Sequence, residues 1–239
     1  MRIDLFFTIP EVDPQAVQGS TALVIDVIRA TSVIAEALAN GARAVYPVLD
    51  TEEALRLANQ LGRESTLLCG ERRGLKIEGF DLGNSPREFL PEKVAQQSLV
   101  MTTTNGTRAF LAAAEADRVV SASLLNLSAA AAVAAQSDRV SIVCAGRQDR
   151  FSLDDALCGG LLVAALSDHR GGEVRLNDAA RAAQELATSL TCDEGTLGAT
   201  AAGRAVVEIG LGDDLPFVAQ RDRHALAPEM HDRVIRLPT

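Results

Sequence analysis

The chain has 239 residues, 47% of them hydrophobic and 23% charged, a balance that fits an ordinary globular fold of one large domain or two small ones. Its 23 basic and 32 acidic residues leave a formal net charge of −9, which argues against a general nucleic-acid or anionic-membrane binder. Aromatics are 3% with no Trp, so stacking platforms for bases or sugars are not expected.

Residues 1–7 form a short strand-like run containing Asp4 and lack the segments of a signal peptide. Residues 22–27 read as a second strand, almost wholly apolar, as strands covered on both faces are. A helix over 29–39 follows, ended by Asn40-Gly41. Next come a strand at 45–49, a helix to Leu61 capped by Thr51 and stopped by Gly62, and a short strand at 66–69. Gly70 to Ser85 is a long loop with four glycines and six charged side chains; loops of that length are usually functional or disordered. Ser85-Pro86-Arg87-Glu88 has the form of a capping box with Pro at the first helical position. Beyond it we expect strands at 98–102, 118–121 and 140–144, and helices at 105–114, up to Gln136, and from Ser152 to Leu166. From Asn177 the chain looks mostly helical, with a last strand near 233–237. The stretch 119–136 is broken by polar residues and reads as strand, loop and helix rather than a membrane span. The cysteines Cys69, Cys144, Cys158 and Cys192 form no CxxC pair and have no His at zinc-finger spacing, so a reduced, cytoplasmic setting without structural zinc is the expectation.

Strands alternating with helices predict an α/β protein, a three-layer α/β/α arrangement around a mostly parallel or mixed sheet. In that architecture, loops leaving the carboxyl ends of strands build the site. Four such loops are rich in polar, charged and glycine residues: 26–31, 69–85, 102–108 and 144–155. Asp26 at a strand end with Arg29 three residues on suits a metal ligand or nucleophile beside a phosphate anchor; a helix-capping Asp with a surface Arg is the alternative. Thr102-Thr103-Thr104-Asn105-Gly106-Thr107-Arg108 gathers hydroxyls, an amide and a guanidinium at one strand-to-helix junction, an oxyanion cradle that is not a Walker loop. Glu71, Glu78 and Asp81 offer hard oxygens that could join Asp26 on Mg²⁺, while Arg72, Arg73 and Lys76 could meet an anionic substrate. Asp154 and Asp155 open a helix, as dipole complements or as a ligand or general acid/base. Cys144 to Arg150 fits the C-x5-R spacing of cysteine phosphatases but has Arg147 where glycine is usual and Phe151 where a hydroxyl is expected, so it reads as coincidental. His169, His224 and His231 lack ligand spacing.

Together, Ile25–Thr31, Cys69–Arg72, Gly79–Pro86, Thr102–Arg108 and Cys144–Gly146 resemble the blocks of the 2-phosphosulfolactate phosphatase (ComB-like) family, in the right order over about residues 5–160. Asp154-Asp155 stands where members usually carry Glu-Asp, and Gly159-Gly160 where they carry Ala-Gly. The resemblance implies a single phosphatase domain over 1–239, with a mainly helical C-terminal part. It implies a Mg²⁺-dependent phosphoric monoester hydrolase converting 2-phospho-3-sulfolactate to 3-sulfolactate and phosphate, a step toward coenzyme M. The expected metal set is Asp26, Glu71 and Asp81; the catalytic carboxylates are Asp26 and Asp155. Phosphate and substrate contacts are expected from Arg29, Arg72, Asn84, Thr103, Thr104, Asn105, Gly106, Thr107 and Arg108. Its partner is then a small anionic phosphoester, with neither nucleic acid nor membrane, and with self-association into a homo-oligomer left open. The rivals are a phosphatase for another small anionic phosphoester and a non-catalytic phosphometabolite-binding protein.

Overall fold

The computed structural model describes residues 1–238. The strands are β1 (Arg2–Phe6), β2 (Thr21–Ile25), β3 (Ala44–Pro47), β4 (Thr66–Arg72), β5 (Leu75–Lys76), β6 (Ser98–Thr102), β7 (Arg118–Ala122), β8 (Arg139–Cys144), β9 (Arg175–Leu176), β10 (Glu229–His231) and β11 (Val234–Arg236). The helices are α1 (Pro14–Val17), α2 (Ala30–Ala39), α3 (Thr51–Leu61), α4 (Pro91–Val94), α5 (Gly106–Ala112), α6 (Leu127–Ala134), α7 (Leu153–Arg170), α8 (Asp178–Ser189), α9 (Glu194–Ala199), α10 (Ala201–Glu208) and α11 (Leu215–Val218).

Strand order across the sheet is β5-β4-β6-β3-β11-β10-β7-β2-β8-β1-β9. One wing, β4-β6-β3, is parallel, and so is the other, β7-β2-β8-β1-β9. The C-terminal hairpin β10–β11 joins them, antiparallel to β7 on one side and to β3 on the other. The result is the expected α/β protein with a mixed, mostly parallel sheet flanked by helices. All five residues of β2 are buried, as its apolar run requires. Nine of the ten residues of α2 are buried; a helix covered nearly all round belongs inside the protein rather than on its surface. One apolar cluster explains this, since Val33 and Ile34 of α2 and Phe110 of α5 pack with Val24 of β2 and with Leu99 and Met101 of β6. Both wings therefore share a core with α2 and α5, and the loops opening those two helices meet.

Several local expectations are corrected. Asp50, not Thr51, caps α3, its Oδ1 accepting from the Glu53 N–H at 2.8 Å. Ser85 caps nothing: only a 3₁₀ turn follows at Pro86–Glu88, and its hydroxyl donates to Asp214 instead. The long glycine-rich loop is partly ordered as the end of β4 and an antiparallel return through β5. There, Gly70 lies so close to β6 that a Cβ would meet the Thr102 carbonyl oxygen at 2.0 Å. The final strand at 233–237 is one half of a hairpin whose other half, β10, has no strong period-2 signal in three residues. Among the described residues no helix is long and apolar enough to cross a membrane.

Candidate active site

A cavity of about 280 Å³ opens where the four polar loops converge. Asp26 and Arg29 enter from the β2–α2 loop, Glu71 and Arg73 from the end of β4, Thr104 and Asn105 from the β6–α5 loop, and Arg147, Ser152, Asp154 and Asp155 from the β8–α7 connection. Asn84 adds a side-chain amide, and Ala202, Ala205, Val206 and Ile209 of the C-terminal third form an apolar wall.

Asp26 is fixed through its main chain. Its N–H donates to the Thr31 hydroxyl at 3.0 Å, and that hydroxyl returns a bond to the Asp26 carbonyl at 2.8 Å. Its carboxylate is far less engaged, with one long contact of 3.4 Å from the Ala30 N–H to Oδ1. Gly106 packs directly on it, since a Cβ there would lie 2.6 Å from Asp26 Oδ2 and 2.4 Å from the Ala30 Cβ. Burial, then the neighbouring Asp154, push the Asp26 carboxyl up to about 7, against the pull of the Ala30 amide and of Arg29.

Two other acids act as fasteners. Asp155 accepts the Val27 N–H on Oδ1 and the Gly146 N–H on Oδ2, both at 2.9 Å. Glu71 accepts the Thr104 N–H at 2.7 Å on Oε1 and the Gly74 N–H at 2.6 Å on Oε2. Each carboxylate thus ties two loops together with both oxygens already used. Burial first, then Asp154 and Asp26, push Asp155 well above the usual carboxylate range. Asp154 is less committed, accepting the Ser152 hydroxyl on Oδ1 at 2.5 Å. Burial also pushes it upward, against the pull of that hydroxyl. Asp154 and Asp26 are therefore the carboxylates with oxygens to spare.

Of the residues anticipated from sequence, the structure brings Asp26, Arg29, Glu71, Asn84, Thr104, Asn105 and Asp155 to the cavity. Others sit elsewhere. Asp81 pairs with Arg63 at 3.2 Å and accepts the Leu68 N–H at 2.7 Å, so it closes the β4 loop and stays out of the cavity. Arg72 turns away to the Thr102 hydroxyl and the Leu49 carbonyl, and Arg73, held at φ +54° in the tight turn, takes the lining position. Thr103 and Thr107 bond one another across the first turn of α5. Arg108 pairs with Asp149 at 2.9 Å, half-exposed. Gly106 contributes closeness to Asp26 rather than a cavity surface. In the C-x5-R stretch, Cys144 is sealed in the core and burial pushes its thiol well above its ordinary range, so it is no nucleophile.

A family model described as 2-phosphosulpholactate phosphatase matches residues 6–233. The chain belongs to the 2-phosphosulfolactate phosphatase family. It is 39% identical over 230 residues to a protein of Clostridium acetobutylicum named probable 2-phosphosulfolactate phosphatase, covering 96% of this chain and 97% of that one. Proteins of the same name from Caldanaerobacter subterraneus subsp. tengcongensis and Thermotoga petrophila are 36% and 39% identical. Coverage there is 99% and 92% of this chain, and 98% and 93% of the relatives.

For a member of a phosphatase family, the charge around the cavity is the telling feature. Four carboxylates (Asp26, Glu71, Asp154, Asp155) face three arginines (Arg29, Arg73, Arg147), and Arg29 is already paired with Asp214 at 2.7 Å. Once those carboxyls ionise, a phosphate ester meets net negative walls unless a cation intervenes. Among the described residues no three His, Cys, Asp or Glu side chains form a complete ligand set. Mg²⁺, however, takes one or two carboxylates with substrate oxygens and waters, and the spare oxygens of Asp26 and Asp154 suit that hard ion. On the anion side, the Thr104 hydroxyl is buried without a hydrogen-bond partner, and Asn105 spends only its Oδ1, on the Gln148 N–H at 3.1 Å; Asn84 Oδ1, also buried and unpartnered, is an acceptor that suits a cation or a donor. Buried polar atoms left open beside a cavity are available to water, an ion or a ligand.

Sequence reasoning missed Asp214, because an Asp in a Gly-Asp-Asp turn looks like any solvated loop. It weighted Asp155 over Asp154, although only backbone geometry separates two adjacent carboxylates.

Proposed function

We propose that this protein is a Mg²⁺-dependent phosphatase for a small phosphoester bearing further negative charge, with 2-phospho-3-sulfolactate as its substrate, 3-sulfolactate and phosphate as its products, and a route toward coenzyme M as its setting. The observation that carries the proposal is the cluster of buried carboxylates facing anion donors across one small cavity, in a chain whose family is a phosphatase family.

In this reading Asp26 and Asp154 would hold Mg²⁺, which when bound supplies charge neutralisation to the phosphoryl oxygens. Arg29, the Thr104 hydroxyl and the Asn105 side-chain amide orient the phosphoryl group, a positioning task that makes up most of phosphoryl-transfer catalysis. Glu71 and Asp155 keep the loops in register so that these donors do not have to reorganise during reaction. Arg73 and Arg147 meet the remaining anionic groups of the substrate. The wall from α10 excludes water and limits the site to a compact substrate.

The test is phosphate release from 2-phospho-3-sulfolactate in Mg²⁺ and again in excess chelator, alongside a panel of other three-carbon phosphoesters. Turnover that disappears with chelator and is fastest with the sulfonate ester supports the reading. Faster hydrolysis of another ester reassigns the substrate, and ligand binding without any phosphate release overturns the enzyme.

A further inference from the structure

The Arg29 guanidinium, buried with its side chain 2% exposed, is held from two sides by segments remote in sequence. Its Nη1 donates to Asp214 Oδ2 at 2.7 Å, and its Nη2 donates to the Gly74 carbonyl at 2.7 Å. The other oxygen of Asp214 accepts the Ser85 hydroxyl at 2.5 Å. Asp214 has no exposed surface and lies on the 3₁₀ turn Gly212–Asp214 just past α10. The exposed pair Arg87–Asp213, at 3.2 Å, clamps the same turn to the Pro86–Glu88 turn from outside.

A guanidinium has five N–H donors in a rigid fork. Two are spent on Asp214 and Gly74, and fixing those two fixes the plane in which the other three point. Because Arg29 lines the cavity, that plane decides whether an oxyanion is gripped. A buried ion pair is a weak source of stability, since the cost of removing both charges from water offsets their attraction. What such a pair secures is orientation. We propose that Asp214 is a positioning residue: with Ser85 behind it, it sets the Arg29 fork toward the phosphoryl oxygens of the substrate, so that the C-terminal third completes a site whose other polar groups come from the sheet loops. The proposal rests on reading the cavity as a phosphoester site.

The experiment compares wild type, Asp214→Asn, Ser85→Ala and Arg29→Ala, reading inorganic phosphate affinity by calorimetry in Mg²⁺ buffer, KM and kcat, and the thermal midpoint. Loss of one charge-assisted contact corresponds to roughly a 10- to 100-fold loss of affinity. We expect a rise of that size in the phosphate Kd of Asp214→Asn, a smaller rise in Ser85→Ala, and both effects falling mainly on KM. Added guanidinium ion should restore phosphate binding to Arg29→Ala, but not to Arg29→Ala/Asp214→Asn, which lacks the carboxylate that seats it. Should Asp214→Asn fail to fold, Ser85→Ala decides by its KM and Kd. Variants that lower only the thermal midpoint, with Kd and KM unchanged, or guanidinium rescue that does not need Asp214, would overturn the proposal. A wild-type chain that binds phosphate but hydrolyses no phosphoester removes the proposed function and leaves the Asp214 result readable.

Discussion

Asp26 is the residue at which the proposed chemistry and the pH dependence of stability meet. Its carboxyl, raised to about 7 chiefly by burial and Asp154, sits above the ordinary value of an unfolded aspartate. A group raised in this way favours the folded state fully below the unfolded value of 3.8, and that contribution is lost as pH climbs through about 7. Metal-free protein is therefore expected to lose thermal stability between pH 4 and pH 8. Asp26→Asn, which carries no charge to bury, should raise the metal-free midpoint at pH 8 by more than about 3 °C, with little gain at pH 4. The same variant should lower kcat by about 10²–10⁴-fold. A melting series in chelator and steady-state kinetics check both halves, and near-normal turnover would remove Asp26 from the mechanism. Gly106 tests the same point from the other side. An added methyl carbon would stand only 2.6 Å from Asp26 Oδ2 and 2.4 Å from the Ala30 Cβ, so Gly106→Ala must displace the carboxylate, the start of α2 or α5. Its kcat/KM should fall at least about tenfold, the size of a small misplacement of a reacting group; unchanged kinetics would show that the contact yields freely.

At the level of elements, the hairpin β10–β11 is the strap that joins two parallel wings, and Arg118 anchors it. The Arg118 guanidinium donates to both oxygens of Glu229, at 2.7 and 2.5 Å, and chiefly that bond holds the Glu229 carboxyl below its usual value. A lowered carboxylate contributes stability above its unfolded value of 4.5, and the contribution disappears as pH falls through the folded one. Arg118→Met leaves a mostly buried carboxylate with only the exposed His231 imidazole beside it, at 3.5 Å, and should cost on the order of 2 kcal/mol at pH 7. The deficit should shrink below pH 4, which urea unfolding at the two pH values would show; an equal deficit at both would assign the loss to packing alone. The parallel wings and the loops at their carboxyl ends were legible in the sequence because apolar runs such as Leu23-Val24-Ile25 and Val140–Cys144 alternate with helices ended by Asn40-Gly41 and Gly62. Boundaries moved where side chains found other partners: Ser85 left its capping box for Asp214, and Asp50 took the cap assigned to Thr51.

Across the whole molecule, the cavity exists only because distant segments fold over one another. Asp26, Glu71, Thr104 and Asp154 come from four crossovers, and the wall of α10 and the turn at Asp214 come from the C-terminal third. Residue type, loop position and the family resemblance pointed to Asp26, Arg29, Glu71, Asn84, Thr104, Asn105 and Asp155, all of which line the cavity. Direction was not legible: Arg72 and Arg73 are adjacent and the turn at φ +54° accompanies the one that lines the cavity, and Asp81 meets Arg63 and the Leu68 amide where Glu71 meets the Thr104 and Gly74 amides. The C-terminal contribution was hidden because its wall is built of Ala, Val and Ile, which any packed helix carries. As a property of the assembled site, Mg²⁺ should raise the thermal midpoint clearly at pH 8 and hardly at all at pH 4, where the Asp26 carboxyl that would bind it is protonated. An equal rise at both pH values would place the ion elsewhere.

The most direct measurement is the ³¹P NMR relaxation of inorganic phosphate bound to the protein with Mn²⁺ in place of Mg²⁺. If the carboxylates gather a divalent ion beside the oxyanion donors, the phosphorus relaxes at the rate of a directly coordinated ligand, and Asp26→Asn abolishes the effect. Phosphate that binds with no paramagnetic enhancement, or an enhancement that survives loss of Asp26, would contradict the account.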